Sequence, residues 1–422
     1  MRFYYLLIML TLSISSFSKN DTLEVFFNSI SDISFEEIKN NKNVTYDVKI
    51  KQPLDHADSS KGYFYQRVVL THRSFNKPLV LVIEGYAIYS PHQYELATLL
   101  DGNQINVEHR FFGESIPDSL NYKYLTLAQA SADLHHIHEL FKDLYKKHWI
   151  STGISKGGTT SLFYKYYYPD DVSACVAYVA PLAQGIEDKR VYHFLDTVGS
   201  KFCRNKVFDY QVWLLRNQEK VIPVLKKLYG SKGYSFNYLS LEEAFEYSVL
   251  EFSFAFWQYG KSCNQVPVDF ENIQQVIKYY LSTNPLFLFS DQGIEYYGPH
   301  YYQAGTEMGY YGYNIKPFKK HLKFISTRTN PSAIFAPEKI KLMYNQQITD
   351  DFKAWLEEEG NNIIYLYGKL DTWSACAIYP SKNVNSKVFF LDNKHHGNTN
   401  VEEMSVGQRQ EFLRYLKSWM KG

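Results

Sequence analysis

Charge of one sign is what this sequence most clearly lacks. Its 422 residues carry 45 Lys and Arg against 44 Asp and Glu, a formal net charge of +1. A balance this even gives no field that would gather polyanions, which argues against nucleic acid or an anionic membrane surface as a partner. Cysteine is scarce as well. Cys175, Cys203, Cys263 and Cys376 make no C-x-x-C pair and no Cys/His spacing of the zinc type, so no metal centre is expected. In an oxidising compartment they can pair, and Cys203 with Cys263, both in the middle section of the chain, is the favoured pair. Cys175 lies in an apolar run and reads as a small buried residue. Long apolar runs are also missing, since none reaches the roughly 20 residues of a membrane span. The nearest is Phe3–Leu12, broken only by Thr11, after Arg2 and ahead of Ser16 and Ser18. That pattern reads as a signal peptide over 1–18 and implies an exported, soluble protein.

Aromatic side chains are abundant. They make up 17% of the chain, and 37 residues are tyrosine. Tyrosine joins an apolar body to a polar tip, which suits a wide, wet recognition surface. Compositional drift towards Tyr, Asn and Lys explains the excess equally well.

Apolar runs bounded by turn residues occur at Leu79–Ile83, Gln104–Val107, Trp149–Gly153 and Ala174–Val179. Within Ala130–Lys147, Leu134, Ile137, Leu140, Phe141 and Leu144 recur at helical spacing. Strand, amphipathic helix and strand make a βαβ unit, so the sheet is expected to be parallel. The alternation returns with strands at Ile363–Tyr367 and Lys387–Leu391 and a closing helix over Ser405–Met420. Between the two halves, Tyr210–Tyr229, Leu241–Tyr259 and Phe270–Leu281 have helical patterns. The segment Ile294–Tyr313 is aromatic and glycine-rich instead. The expected architecture is an α/β-hydrolase core, 19–184 and 331–422, split by a mainly helical cap over 185–330.

Gly153-Ile154-Ser155-Lys156-Gly157 follows an apolar strand and precedes a plausible helix. That is the setting of a nucleophile elbow, with small neighbours letting the chain turn sharply around an exposed serine. An inert serine in a glycine-rich turn is the plainer alternative. In this fold the acid and then the histidine come later in the chain. Asp371 sits just past the strand Ile363–Tyr367, and His395 and His396 follow Lys387–Leu391. The spacing alone does not choose between the two histidines. Oxyanion donors are expected at the backbone N–H of Lys156 and in the Glu84-Gly85-Tyr86 loop. Glu108 and Arg110 read as an internal ion pair bracing a strand end.

These motifs resemble those of the serine exopeptidases that include lysosomal Pro-X carboxypeptidase and dipeptidyl peptidase II, and more closely those of secreted bacterial tripeptidyl aminopeptidases. The similarity runs from Gln52-Pro53-Leu54-Asp55-His56 and Gly62-x-Phe64-x-Gln66-Arg67 through Glu84-Gly85-Tyr86. It continues in Glu108-His109-Arg110-Phe111-Phe112-Gly113-Glu114-Ser115, in Tyr124-Leu125-Thr126 with Gln129 and Asp133, and in Gly153-x-Ser155-Lys156-Gly157-Gly158. Tyr302-Gln303, Thr306-Glu307-Met308-Gly309-Tyr310-Tyr311, Gly368-x-x-Asp371-x-Trp373 and His395-His396-Gly397 complete it.

The resemblance implies cleavage of peptides from the N-terminus by Ser155, Asp371 and a histidine, with His396 favoured, and no metal or organic cofactor. Where the proline-directed members carry an Asn-Glu-Gly-like oxyanion loop, this chain has Glu84-Gly85-Tyr86. An aminopeptidase needs a carboxylate for the substrate ammonium, and Glu84 and Glu307 are the candidates. A carboxylic-ester hydrolase on the same triad, or a binding protein that keeps the fold, are the other readings. Oligomeric state is left open.

Overall fold

The computed structural model describes residues 19–39, 43–325, 329–337 and 342–420. The signal peptide expected over 1–18 lies outside these. Nine strands form a sheet: β1 (Ile33–Glu37), β2 (Val44–Pro53), β3 (Tyr63–His72), β4 (Leu79–Ile83), β5 (Asn103–Val107), β6 (Trp149–Ile154), β7 (Ala174–Tyr178), β8 (Ile363–Gly368) and β9 (Lys387–Leu391). They lie in the order β1-β2-β3-β5-β4-β6-β7-β8-β9. The first three pair antiparallel, and β3 also meets β5 antiparallel. From β5 through β4 to β9 every pairing is parallel.

The sequence of β4, Leu-Val-Leu-Val-Ile, is apolar at every position because both faces of the sheet are covered. Leu79, Leu81 and Ile83 pack with Leu134, Ile137 and Phe141 of the helix Leu127–Phe141. Val80 and Val82 face the other way, towards Phe412 and Leu416 of the helix Val406–Trp419. This α/β-hydrolase sheet carries its connecting loops at the carboxyl ends of the parallel strands, where ligands of such sheets bind. Among the described residues, no helix is long and apolar enough to cross a membrane.

Between β7 and β8 the chain leaves the sheet for a set of helices. They include Arg190–Thr197, Lys201–Arg216, Gln218–Gly230, Leu241–Gln258, Ile273–Thr283 and Asp291–Gln303. Their apolar faces close on a core of their own, with Tyr210, Leu214, Phe245, Phe252 and Tyr280 at its centre. Helix Leu241–Gln258 starts at a capping box in which Ser240 and Glu243 satisfy each other's backbone N–H groups. Cys203 and Cys263 are disulfide-bonded, with Cα atoms 5.5 Å apart, and Cys175 is fully buried. The pattern over Tyr210–Tyr229 proves to be two helices that meet at Asn217. The aromatic, glycine-rich stretch begins inside a helix despite Gly293, Gly298 and Pro299. Close packing explains Gly293, because a Cβ there would strike the Phe287 carbonyl.

The ion pair expected between Glu108 and Arg110 does not form. Phe111 and Gly113 adopt positive φ, 68° and 56°, so the chain curls back on Glu108. Its carboxylate accepts the N–H groups of Ile88 and Glu114 and the Ser115 hydroxyl, at 2.8, 2.7 and 2.9 Å. Arg110 is instead paired with Asp133 through two 2.7 Å bonds, and it also donates to the carbonyls of Leu54 and Tyr124. Both side chains are fully buried. Removing one partner strands the other charge, so Asp133→Asn should cost about 3–5 kcal/mol of stability. Urea unfolding checks this: the midpoint should move to clearly lower denaturant, and an unchanged midpoint would show the pair adds nothing.

Candidate active site

Ser155 lies between the end of β6 and the helix Lys156–Tyr167, which it caps, with φ 57° and ψ −126°. A non-glycine residue holds such a conformation only when its surroundings enforce it. Here the Ser155 N–H donates to the Tyr178 carbonyl at 2.9 Å. Gly153 and Gly157 touch so closely that a Cβ on Gly153 would collide with the Gly157 backbone. The side chain is thereby turned out at the carboxyl edge of the sheet.

Asp371 lies in the loop after β8 and is fully buried. One of its oxygens accepts the Trp373 N–H at 3.1 Å, and the other meets Nδ1 of His396 at 2.8 Å. His396 sits in the loop after β9 and keeps 12% of its side chain exposed. With Nδ1 engaged by a carboxylate, Nε2 is the atom left for proton exchange. His395 points elsewhere. Its Nδ1 accepts the Gly397 N–H at 3.2 Å, its ring lies against Gly260 of the inserted segment, and burial lowers its pKa. Of the two histidines, the structure brings His396 to Asp371.

The loop after β4 is pressed onto the elbow. A Cβ on Gly85 would lie 2.6 Å from the Gly157 nitrogen, so only glycine fits. Among the described residues, neither the Tyr86 nor the Lys156 N–H donates to a protein acceptor, which leaves both free for a developing oxyanion. A link that sequence reasoning missed holds the loop there. Nζ of Lys156 donates to the Gly85 carbonyl at 2.8 Å, beneath the rings of Tyr86 and Phe112. Burial drives the Lys156 pKa well below 10.5, and it lowers the neighbouring His109 and His300 as well, His300 to about 3. The floor under the oxyanion loop is therefore a dry cluster of basic groups pushed towards their neutral forms.

Glu84 is turned away from the elbow. It accepts the Tyr94 hydroxyl at 2.6 Å and the Asn106 amide at 3.3 Å, and burial raises its pKa. Glu307 is buried at the start of helix Leu127–Phe141, where it accepts the Leu127 N–H at 2.6 Å, and burial pushes its carboxyl up to about 7. One grouping among the described residues has the donor set for a cation, His135, His138 and Asp171, with ligand atoms within 4.8 Å of one another. It stands at the amino ends of the strands, on the edge of the sheet opposite Ser155.

A strained serine at the carboxyl end of β6, with a paired aspartate and histidine in the loops after β8 and β9, is the layout used by serine hydrolases of the α/β-hydrolase class. The chain belongs to the peptidase S37 family, described as PS-10 peptidase S37, whose pattern matches residues 20–419; it is a serine-type peptidase. It is 29% identical over 377 residues to a prolyl tri/tetrapeptidyl aminopeptidase of Streptomyces mobaraensis, a match spanning 87% of this chain and 78% of the relative. Among solved structures, the proline iminopeptidase of Mycobacterium smegmatis aligns with TM-score 0.36 and 13% identity, over 92% of this chain and 99% of that one. An epoxide hydrolase of Vigna radiata gives TM-score 0.37 and 13% identity, over 91% and 98%.

The geometry separates the two histidines experimentally. His396→Ala should lower kcat by about 10⁴-fold or more, whereas His395→Ala should cause a far smaller loss; equal losses would contradict the pairing with Asp371. Lys156→Met keeps the bulk of the buried stem and removes the bond to Gly85. It should lower kcat by about 10- to 100-fold with KM little changed, because the loop then holds the oxyanion less well. A rise in KM alone would assign Lys156 to substrate binding instead.

Proposed function

We propose that this protein is an exported serine aminopeptidase that releases di- or tripeptides from peptide N-termini. The observation that carries the proposal is the 2.8 Å contact of buried Asp371 with Nδ1 of His396, set beside the strained elbow at Ser155. In this reading Ser155 Oγ attacks the scissile carbonyl while His396 Nε2 takes its proton. Asp371 fixes the tautomer and stabilises the imidazolium. The N–H groups of Tyr86 and Lys156 receive the oxyanion. His396 then returns the proton to the departing amine, and water, activated by the same imidazole, hydrolyses the acyl-enzyme.

The exopeptidase half of the proposal draws on the inserted helices, read as a cap over residues 185–330. Residues from them reach the loops after β4, β8 and β9. Tyr297 and His300 meet the Tyr86 ring, with centroids 5.9 and 5.6 Å away. Phe254, Tyr310 and Tyr311 meet Trp373 at 5.1–5.4 Å, and Gly260 meets His395. A roof this close leaves room for a chain end better than for the middle of a folded substrate. The Streptomyces relative is named for removing tri- and tetrapeptides from the amino end, which supports action from that end and overlaps the proposed lengths at the tripeptide. Export rests on the N-terminal pattern of the sequence.

Peptide anilides with free and N-acetylated ends test the activity. Free-ended substrates should be cleaved at least about 100-fold better, the scale set by one charge-assisted hydrogen bond in a dry site. Ser155→Ala should abolish turnover of both. Equal cleavage of blocked and free peptides would sink the aminopeptidase reading, and preferential turnover of simple esters would favour a carboxylic-ester hydrolase.

A further inference from the structure

Among the described residues, seven carboxylates are less than a tenth exposed. Arginine pairs Asp133 and Asp188, histidine pairs Asp371, and backbone N–H groups serve Glu108, Glu246 and, singly, Glu307. Glu251, in the inserted helix Leu241–Gln258, has neither a basic partner nor a backbone N–H. Both its oxygens accept the Tyr311 hydroxyl at 2.8 Å, and Tyr313 adds a second phenol. No basic group is among the influences on its carboxylate, which are burial and the Tyr311 and Tyr313 phenols. Those surroundings are tyrosines: Tyr259, Tyr301, Tyr310, Tyr311 and Tyr313 all feel its charge.

This box adjoins the triad. Tyr311 packs against Trp373, two residues past Asp371, and Tyr259 interacts with both Asp371 and Glu251. On the other side, the rings run from Tyr310 through His300 to Tyr86 of the oxyanion loop, in steps of 5.2 and 5.6 Å. Tyr259 is 48% exposed, so one wall of the box reaches the surface beside the catalytic loops. A carboxylate ringed by aromatic faces and lacking a cation has the chemistry that recognises an ammonium group, through a charge-assisted hydrogen bond and cation–π attraction.

We infer that Glu251, rather than Glu84 or Glu307, holds the α-ammonium of the substrate's N-terminal residue, with the surrounding tyrosines forming its cage. The inference rests on the aminopeptidase reading above and specifies how that reading counts residues from the chain end. An anchor at a fixed place in the roof admits only the number of residues that spans from Glu251 to Ser155. Burial raises the Glu251 carboxyl to about 8 against the pull of its phenol donors. Near pH 6.5 the empty site is therefore protonated, and an arriving ammonium expels that proton.

Glu251→Gln preserves shape and removes the charge. The wild-type enzyme should prefer Ala-Ala-Ala-p-nitroanilide to its N-acetyl form by about 100-fold in kcat/KM, and the variant should bring that ratio to within about threefold. Burst titration of Ser155 with a fluorophosphonate counts the folded sites in each preparation. If the wild type shows no preference, the aminopeptidase reading falls and this inference with it. If the wild type discriminates and Glu251→Gln discriminates equally, the Glu251 assignment alone is overturned. Should the variant fail to fold, calorimetry on the wild type at pH 6.5 in buffers of different ionisation enthalpy decides. Trialanine should release about one proton on binding and N-acetyl-trialanine none; equal release from both would overturn the assignment.

Discussion

The site depends on a backbone contact. β4 and β6 are neighbours in the sheet, so the loops leaving their carboxyl ends must share one small space. Gly85 and Gly157 make that possible by having no side chains to collide. The buried Lys156 amine braces this approach by its bond to the Gly85 carbonyl, which ties the two loops together. In the proposed mechanism the oxyanion would touch only backbone from these loops, and its placement would follow from two strands lying side by side. Asp371 and His396 add to this frame from β8 and β9, further along the same edge.

Most of the strands that the sequence revealed are covered by helices on both faces. Leu79–Ile83 and Ile363–Gly368 are continuous apolar runs because every residue is inside, and a search for such runs finds them. β1, β2 and β3 escaped it. In β2, Thr45, Tyr46, Val48, Ile50 and Gln52 are buried while the residues between them are partly exposed, and a half-solvated strand shows alternation in place of a run. The helix Asp291–Gln303 was hidden for a different reason. Glycine and proline lower its intrinsic propensity, and tertiary packing overrides that preference. The serine, aspartate and histidine expected for the site were placed by the same signal, since each follows an apolar strand.

The supporting cast was less legible. Nothing in the elbow motif says that the lysine after the serine folds back beneath the oxyanion loop. Glu108 and Arg110 looked like a pair because they are close in sequence, yet a turn with two positive-φ residues sends them to different partners. Glu251 did leave a trace. It is the lone charge in Val249–Trp257, a nine-residue stretch otherwise apolar apart from Ser253, and a carboxylate in such a stretch must either be neutralised or be waiting for something. The tyrosine excess, which composition could not separate from drift, is concentrated in part where the inserted helices face the catalytic loops.

The positive φ of Ser155 sets stability against chemistry at a single residue. Glycine would occupy φ 57° and ψ −126° without the steric penalty that serine bears, of order 1–3 kcal/mol. Drift under selection for thermal endurance alone would therefore tend to erase the hydroxyl, and the resulting protein would be hardier and inert. A lineage that abandoned peptide cleavage but kept the scaffold would be expected to show glycine here first. In sequences of this architecture, serine at the elbow is thus a signature of catalysis still under selection.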